Sequence, residues 1–475
     1  MADNSSHSSA PHRKSVPFAL GQRRGTIHFQ APKGRPRWVL HLQATFWRVL
    51  MGLGMLFHKL APPRPPKPDF TREIPSTISG KPGNITLHFY VPKDWQTQRR
   101  LWEHRPDAAF RDDVDLLEGE DEEDARPPKS TARRVSTALS TISQSVKGKG
   151  RSARRWGGYP VIINFHGGGF TLGKATDDAR WCGTVVDECN AVVISVDYRL
   201  APEYPFPVAV EDGADAVLWV HENAEEIGVD REKIALSGFS SGGNMVFSVP
   251  LRLYDEMTGF AREEILTAQN STKKQEEHAA YAEPAMVPDS ASSSSTKVPP
   301  EARPDVVTIN PDDPTPPDPN LTTKTDAKVD LRPIPDIHIR CIIPWYPSLD
   351  YTRTREDRRA TSRRKDQDLP ALFTDLFDES YLHPPDKVNL NSPYLSPGIA
   401  PTELLKYGLP EEVIMHTCEF DMLLDEGEAF RDRLTSDPLN KKVTYRMVEG
   451  VPHGWDKAPN PCMCCVIKRG GNCLC

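Results

Sequence analysis

Basic charge is not in excess in this 475-residue chain: 59 Lys and Arg stand against 66 Asp and Glu, a formal net charge of −7. With a pI near 6.1, nothing favours a nucleic-acid partner, which would call for a net basic surface. The first 15 residues are polar and hold no apolar run followed by small residues, so no secretory leader is expected there. The nine cysteines are odd in number and unevenly spread. Cys182, Cys189, Cys341 and Cys418 are scattered, whereas Cys462, Cys464, Cys465, Cys473 and Cys475 crowd the end. That pattern is not a disulfide framework. Phosphate-cradling loops of the Gly-x-Gly-x-x-Gly type, or ending in Lys-Ser/Thr, are missing as well.

Proline, by contrast, is plentiful at 45 residues, and the mean hydropathy is −0.53. Both values are too polar for a compact chain of this length unless polar segments interrupt it. Three such segments are visible, at 1–34, 100–158 and 258–335. They are rich in Ser, Pro and charge and cannot bury enough apolar surface to fold. Without them about 300 residues remain, which suits one α/β domain. The expected division is a basic, Ser-rich tail (1–34) and an apolar helix with a Pro-rich linker (35–80). First strands (81–99) and an insertion (100–158) follow, the latter carrying Arg133-Arg134-Val135-Ser136 as a basic-directed phosphorylation pattern. Then come a core (159–257), a second insertion (258–335), a second core segment (336–457) and a Cys-rich tail (458–475).

Short apolar runs at 161–165 (VIINF), 191–196 (AVVISV) and 337–343 read as buried strands, as do 233–237, 413–418 and 443–448. Helical stretches are expected near 178–189, 208–225, 245–254 and 370–377, and an alternating strand at 86–91. Strands alternating with helices at this spacing predict a mostly parallel, doubly wound sheet.

The chain is organised around Gly238-Phe239-Ser240-Ser241-Gly242-Gly243-Asn244, which follows a strand and precedes a helix. Strand, Gly-x-Ser-x-Gly, helix is the context of a nucleophile elbow. Gly238 and Gly242 suit a turn too crowded for side chains. A serine hydroxyl needs a general base and a group that orients the base. His453, in Val451-Pro452-His453-Gly454, follows the last predicted strand, and Asp421 follows the one before it. Loops at strand C-terminal ends are where such a sheet keeps its site. Asp425 is the rival carboxylate, expected instead to cap the next helix. His166-Gly167-Gly168-Gly169-Phe170 follows VIINF directly. Its unobstructed N–H groups, with that of Ser241, are candidate oxyanion donors.

These stretches, with DYRLAPEYPFP at 197–207 and DMLLDEG at 421–427, resemble the hormone-sensitive-lipase family of α/β-hydrolases, which includes bacterial esterases and arylacetamide deacetylases. The resemblance covers about 160–257 and 336–455. It implies an α/β-hydrolase fold with a helical cap formed by the 38–57 region and residues 351–400. It further implies a serine carboxylic-ester hydrolase acting through an acyl-enzyme on short-acyl or acetylated hydrophobic esters, without metal or cofactor. Ser240, Asp421 and His453 would form the triad. Gly168, Gly169 and Ser241 would donate to the oxyanion, with Gly167 shaping the turn. The family commonly has Gly-Asp-Ser-Ala-Gly, so Phe239 replaces a carboxylate beside the nucleophile. The helix that usually follows the catalytic histidine gives way to the Cys-rich tail. A non-catalytic ligand-binding receptor, or a membrane-docked adaptor, is the alternative on the same fold.

Residues 38–57 (WVLHLQATFWRVLMGLGMLF) are long enough to span a bilayer, but Arg48 would lie near its centre. His41, Thr45, Arg48 and Gly52 form a narrow polar stripe at helical spacing. That points to a helix lying in a membrane interface, or one covering the chain's own site. Seven basic residues precede it: Arg13, Lys14, Arg23, Arg24, Lys33, Arg35 and Arg37. A spanning helix would place the remainder in the lumen of the endoplasmic reticulum, where Asn84, Asn270 and Asn320 are glycosylation sequons. A lipidated Cys-rich tail would instead need an intracellular, membrane-associated protein, and Arg48 favours that reading, on the endoplasmic reticulum or a lipid surface, with the lumenal one as the alternative. Asn472 rules out a C-a-a-X box, and a soft-metal site is the rival chemistry for those cysteines. Oligomeric state is not legible.

Overall fold

Eight strands form one sheet in the order β1-β2-β4-β3-β5-β6-β7-β8 in a computed structural model that describes residues 34–62, 64–104, 157–260 and 335–457. In chain order the elements are α1 (Arg37–Leu60), β1 (Phe70–Pro75), β2 (Asn84–Tyr90), α2 (Trp95–His104), β3 (Tyr159–Phe165), α3 (Ala179–Cys189), β4 (Val192–Asp197), α4 (Val208–Glu222) and β5 (Val229–Phe239). There follow α5 (Ser241–Thr258), β6 (Ile339–Trp345), α6 (Arg355–Thr361), α7 (Ala371–Tyr381), α8 (Thr402–Gly408), β7 (Glu412–Phe420), α9 (Leu424–Thr435) and β8 (Lys442–Pro452). Strands β3 to β8 pair in parallel, whereas β2, near one edge, pairs antiparallel with both its neighbours, β1 and β4.

The central strands are continuous apolar runs because both faces of the sheet are covered. Val161, Ile163 and Phe165 of β3 pack with Val210 and Val217 of α4 and Met245 and Val249 of α5. Ile162 points the other way, with Val193 of β4, against Ala179, Cys182 and Val185 of α3. Each large side chain fully buried in this way contributes ~1.5–3 kcal/mol. Alternation of the strand faces therefore decides which helix each residue meets.

The mostly parallel sheet with flanking helices agrees with the expected fold class. Four elements were not expected, β1, α2 and the short helices α6 and α8. β1 (FTREIP) buries only Ile74, so an edge strand this exposed carries no apolar run to read. Helix α2 continues to His104, so residues 100–104 belong to it rather than to an insertion. Asp425 stands inside the first turn of α9, not at its N-cap, which is Leu423. A carboxylate suits that place through the helix dipole, and it pairs with Arg353 at 2.9 Å. The 1–33 tail, most of both insertions, the 133–136 pattern, Asn270, Asn320 and the Cys-rich tail lie outside the described residues. Asn84 opens β2, with its amide 3.3 Å from Glu73.

Candidate active site

Strand order reverses direction around β3, with β4 on one side and β5 on the other. Four segments leave the C-terminal ends of the parallel strands there. His166 follows the last residue of β3, Ser240 that of β5, Asp421 that of β7 and His453 that of β8. The sheet thus brings together residues spread over almost 300 positions, at the crevice where such sheets bind ligands.

Ser240 adopts φ 56° and ψ −111°, a region that a non-glycine residue occupies only at a cost. Close backbone approach makes the turn possible. A Cβ on Gly238 would come within 2.3 Å of the Gly242 carbonyl oxygen, and one on Gly242 within 2.0 Å of that of Phe165. The Ser240 N–H donates to the Trp345 carbonyl at 2.9 Å, tying the elbow to β6. His453 Nε2 lies 2.8 Å from Ser240 Oγ. Its Nδ1 lies 2.7 Å from Asp421 Oδ2, so an Nδ1–H donating to the carboxylate leaves Nε2 as acceptor for the hydroxyl. Asp421 is buried, and its other oxygen accepts the Leu423 N–H at 2.9 Å.

The glycine loop crosses beside the elbow. Gly168 (φ 124°) and Gly169 (φ 60°) both need glycine, and a Cβ on Gly168 would lie 2.2 Å from the Leu172 carbonyl oxygen. Among the described residues the Gly168 and Gly169 N–H groups have no hydrogen-bond acceptor. Ser241 is the first residue of α5, where an N–H has no intrahelical partner. His166 and the 197–207 stretch hold the loop from behind. His166 Nδ1 donates to the Gly167 carbonyl at 2.8 Å, and its ring stacks on Tyr198 with centroids 4.3 Å apart. Tyr198 Oη donates to the His166 carbonyl at 2.8 Å, and the Ala201 N–H to that of Phe170 at 2.8 Å. Arg199 and Asp212, both buried, pair at 2.7 Å beneath.

A cavity of about 370 Å³ opens above Ser240 and His453. Gly167, Gly168 and Gly169 form one side, and Leu369, Phe373 and Phe377 around α7 another. Trp47, Leu50 and Met51 of α1 complete it, with Trp47 edge-on to Phe373 at 4.7 Å. Helix α1 is therefore a wall of the cavity. Of its polar stripe, Arg48 pairs with Glu203 at 2.8 Å and His41 lies 3.5 Å from the same carboxylate, while Thr45 and Gly52 are exposed.

Sequence reasoning missed the support beneath the histidine. The Tyr346 ring lies edge-on to His453 at 4.7 Å, and its hydroxyl donates to Asp456. Lys457 pairs with Asp456 and with Asp178, the latter at 2.7 Å. Asp178 also accepts from Asn164 at 2.8 Å. Tyr346 directly follows β6, but nothing in the sequence spacing ties it to His453.

A family profile described as alpha/beta hydrolase fold matches residues 162–311 and 320–457, more than half of the chain. Among curated proteins, an arylesterase of Saccharolobus solfataricus is 44% identical over 95 residues, 20% of this chain and 31% of that protein. A versiconal hemiacetal acetate esterase of Aspergillus parasiticus is 36% identical over 104 residues, 22% of this chain and 32% of that protein. The matched stretch thus spans about a third of these relatives' length. Among solved structures, a thermostable esterase from Pseudomonas putida superposes with a TM-score of 0.50 at 20% identity, covering 90% of this chain and 85% of that one. It shares the fold. With the profile match over most of the described core, the chain belongs to the hormone-sensitive-lipase-like α/β-hydrolase family.

Proposed function

We propose that this chain is a serine carboxylic-ester hydrolase. The observation that carries the proposal is the continuous contact from Asp421 through His453 to Ser240, at 2.7 and 2.8 Å, opening into an apolar cavity. Ser240 Oγ attacks the ester carbonyl while His453 Nε2 takes its proton, and Asp421 stabilises the imidazolium that forms. The tetrahedral oxyanion is met by the N–H groups of Gly168, Gly169 and Ser241, which need no reorganisation to receive it. Collapse expels the alcohol, which leaves with the proton from His453, and an acyl-enzyme remains on Ser240. Water then attacks the acyl carbon with the same histidine as base, releasing the acid and restoring the serine.

The cavity suggests the substrate class. Its lining by Trp47, Leu172, Phe373 and Phe377 suits a hydrophobic ester, and its volume suits a short acyl group or an acetylated apolar alcohol. Among the described residues the acidic and basic side chains that line it are Asp177, Lys457 and His453 itself. Hydrolysis of a nitrophenyl-ester series from acetate to palmitate by the full chain, beside Ser240→Ala, tests the proposal. Activity is expected to peak at short acyl lengths and to vanish in the variant. Equal turnover by the two proteins, or none by folded wild type across the series, would overturn it and leave a ligand-binding protein on a hydrolase fold.

A further inference from the structure

Helix α1 is an amphipathic helix turned outward. Its inner face is fastened to the hydrolase body by nearly every polar group it has. Arg37 donates to the Pro202 carbonyl at 2.7 Å. Arg48 donates to the carbonyls of Thr171 at 2.9 Å and Ala201 at 2.7 Å, besides its pair with Glu203. Arg180 of α3 holds the far end through the carbonyls of His58 and Ala61, at 2.7 and 2.8 Å. Leu40, Ala44 and Met55 are buried on the same side.

The opposite side is apolar and bare. Trp38, Leu42, Phe46, Val49, Leu53 and Phe57 are each more than half exposed. Their spacings of three and four residues make one stripe along a helix about 36 Å long. Nine of the thirteen exposed large apolar side chains among the described residues belong to this helix. Single exposed apolar residues are ordinary, but a contiguous stripe marks a surface that something covers.

We propose that this stripe docks on an anionic phospholipid surface, with α1 lying in the plane of the headgroup boundary rather than crossing the bilayer. Three observations select that occupant. The segment leading into the helix, residues 1–34, carries Arg13, Lys14, Arg23, Arg24 and Lys33 against a single acid, Asp3, whereas Arg35 is already paired with Glu379 at 2.9 Å. Cations beside a helix are drawn to an anionic leaflet within a Debye length of its surface. A spanning helix would have to part Arg48 from Glu203 and carry its charge to mid-bilayer. Finally, Leu50 is both partly exposed and part of the cavity lining, and Trp47 and Met51 line the cavity from the inner side. A lipid surface on the stripe would lie one helix diameter, about 10 Å, from Ser240's cavity. Under the hydrolase reading, an ester dissolved in the bilayer would then enter without crossing water, but docking itself does not depend on Ser240.

The test is co-sedimentation of the full chain with vesicles of phosphatidylcholine alone and of equimolar phosphatidylcholine and phosphatidylserine. Three outward-facing positions are altered together, Leu42→Gln, Val49→Gln and Leu53→Gln, and folding is followed by near-UV circular dichroism. Wild type is expected to pellet with the anionic vesicles, less so in high salt. The triple variant should partition about tenfold less or weaker with an unchanged spectrum, and Ser240→Ala should bind like wild type. Equal binding by wild type and the triple variant would overturn the proposal. So would binding that survives alkaline carbonate, which would make α1 a span. Failure of wild type to bind either vesicle would also overturn it, and a wild-type dimer lost in the triple variant would then assign the stripe to a second copy of the chain.

Discussion

The ammonium of Lys457 lies 3.9 Å from the ring centroid of Phe239, the residue immediately before Ser240. Where the family commonly has a carboxylate beside the nucleophile, this chain has an aromatic face with a cation over it. That ring also stacks on Trp345 at 5.7 Å. Lys457 is itself paired with two carboxylates, those of Asp178 and Asp456. Burial works against the charge on Lys457, but the two carboxylates outweigh it and keep its pKa above the ordinary lysine range.

Lys457→Met should therefore be costly. It leaves Asp178 buried without its cation, a change that typically costs about 3–5 kcal/mol. Urea unfolding near neutral pH measures it. The folded pKa is raised, so the lysine's contribution is fully present below its ordinary value of 10.5 and is lost as pH rises toward the folded value. The stability gap between wild type and variant should be level at neutral pH and narrow only in strong alkali. A level gap throughout would mean that the pair does not set the lysine's charge.

The proposed triad should fail as a unit. Ser240→Ala and His453→Ala are each expected to lower kcat by about 10⁴ or more, and Asp421→Asn by about 10⁴ through the wrong histidine tautomer. The double variant Ser240→Ala with His453→Ala should be scarcely worse than either single one. Steady-state kinetics on one short-acyl ester decide this. Multiplied losses would show that the residues act independently.

The glycine loop separates backbone need from pocket shape. An alanine Cβ at Gly168 would meet the Leu172 carbonyl oxygen at 2.2 Å, whereas one at Gly169 would meet the Phe377 ring at the same distance. A ring can move and a carbonyl in a tight turn cannot. Gly168→Ala should lower kcat by about 10²–10³, as loss of one oxyanion donor does. Gly169→Ala, which is strained by its φ of 60°, should also change KM across the acyl series because Phe377 is displaced. An unaffected kcat in Gly168→Ala would remove it from the donor set.

Acid sensitivity has a named source in His416. Its ring stacks on Trp345 at 3.9 Å, and burial, aided by Arg446, pushes its pKa down from 6.5 to about 4. The unfolded chain binds this proton first as pH falls. Stability should therefore decline between about pH 6.5 and 4, by at most about 3 kcal/mol. His416→Leu should flatten that decline in unfolding curves recorded across the range. The same slope in both proteins would place the acid sensitivity on other groups.

Legibility in the sequence followed from how local each feature is. A nucleophile elbow is a strand, a turn and a helix in one short stretch, so its glycines and serine stand together in the chain. Buried parallel strands declare themselves as apolar runs because both faces are covered, and each catalytic candidate directly follows such a run. Asp421 could be preferred over Asp425 for the same reason, since it is the first residue past β7. Fold class and the candidate triad were therefore readable without coordinates.

Features made by distant segments were not readable. The Tyr346–Asp456–Lys457–Asp178 support joins three separate parts of the chain, and no spacing rule links them. The direction in which α1 faces is of the same kind. Composition shows a greasy helix with a polar stripe, but only the position of Glu203 and the carbonyls of Thr171 and Ala201 turns Arg48 of that stripe inward. Local sequence sets backbone conformation and burial period. Which side of a helix meets the protein, and which charge answers a buried lysine, depend on packing between elements far apart in the chain.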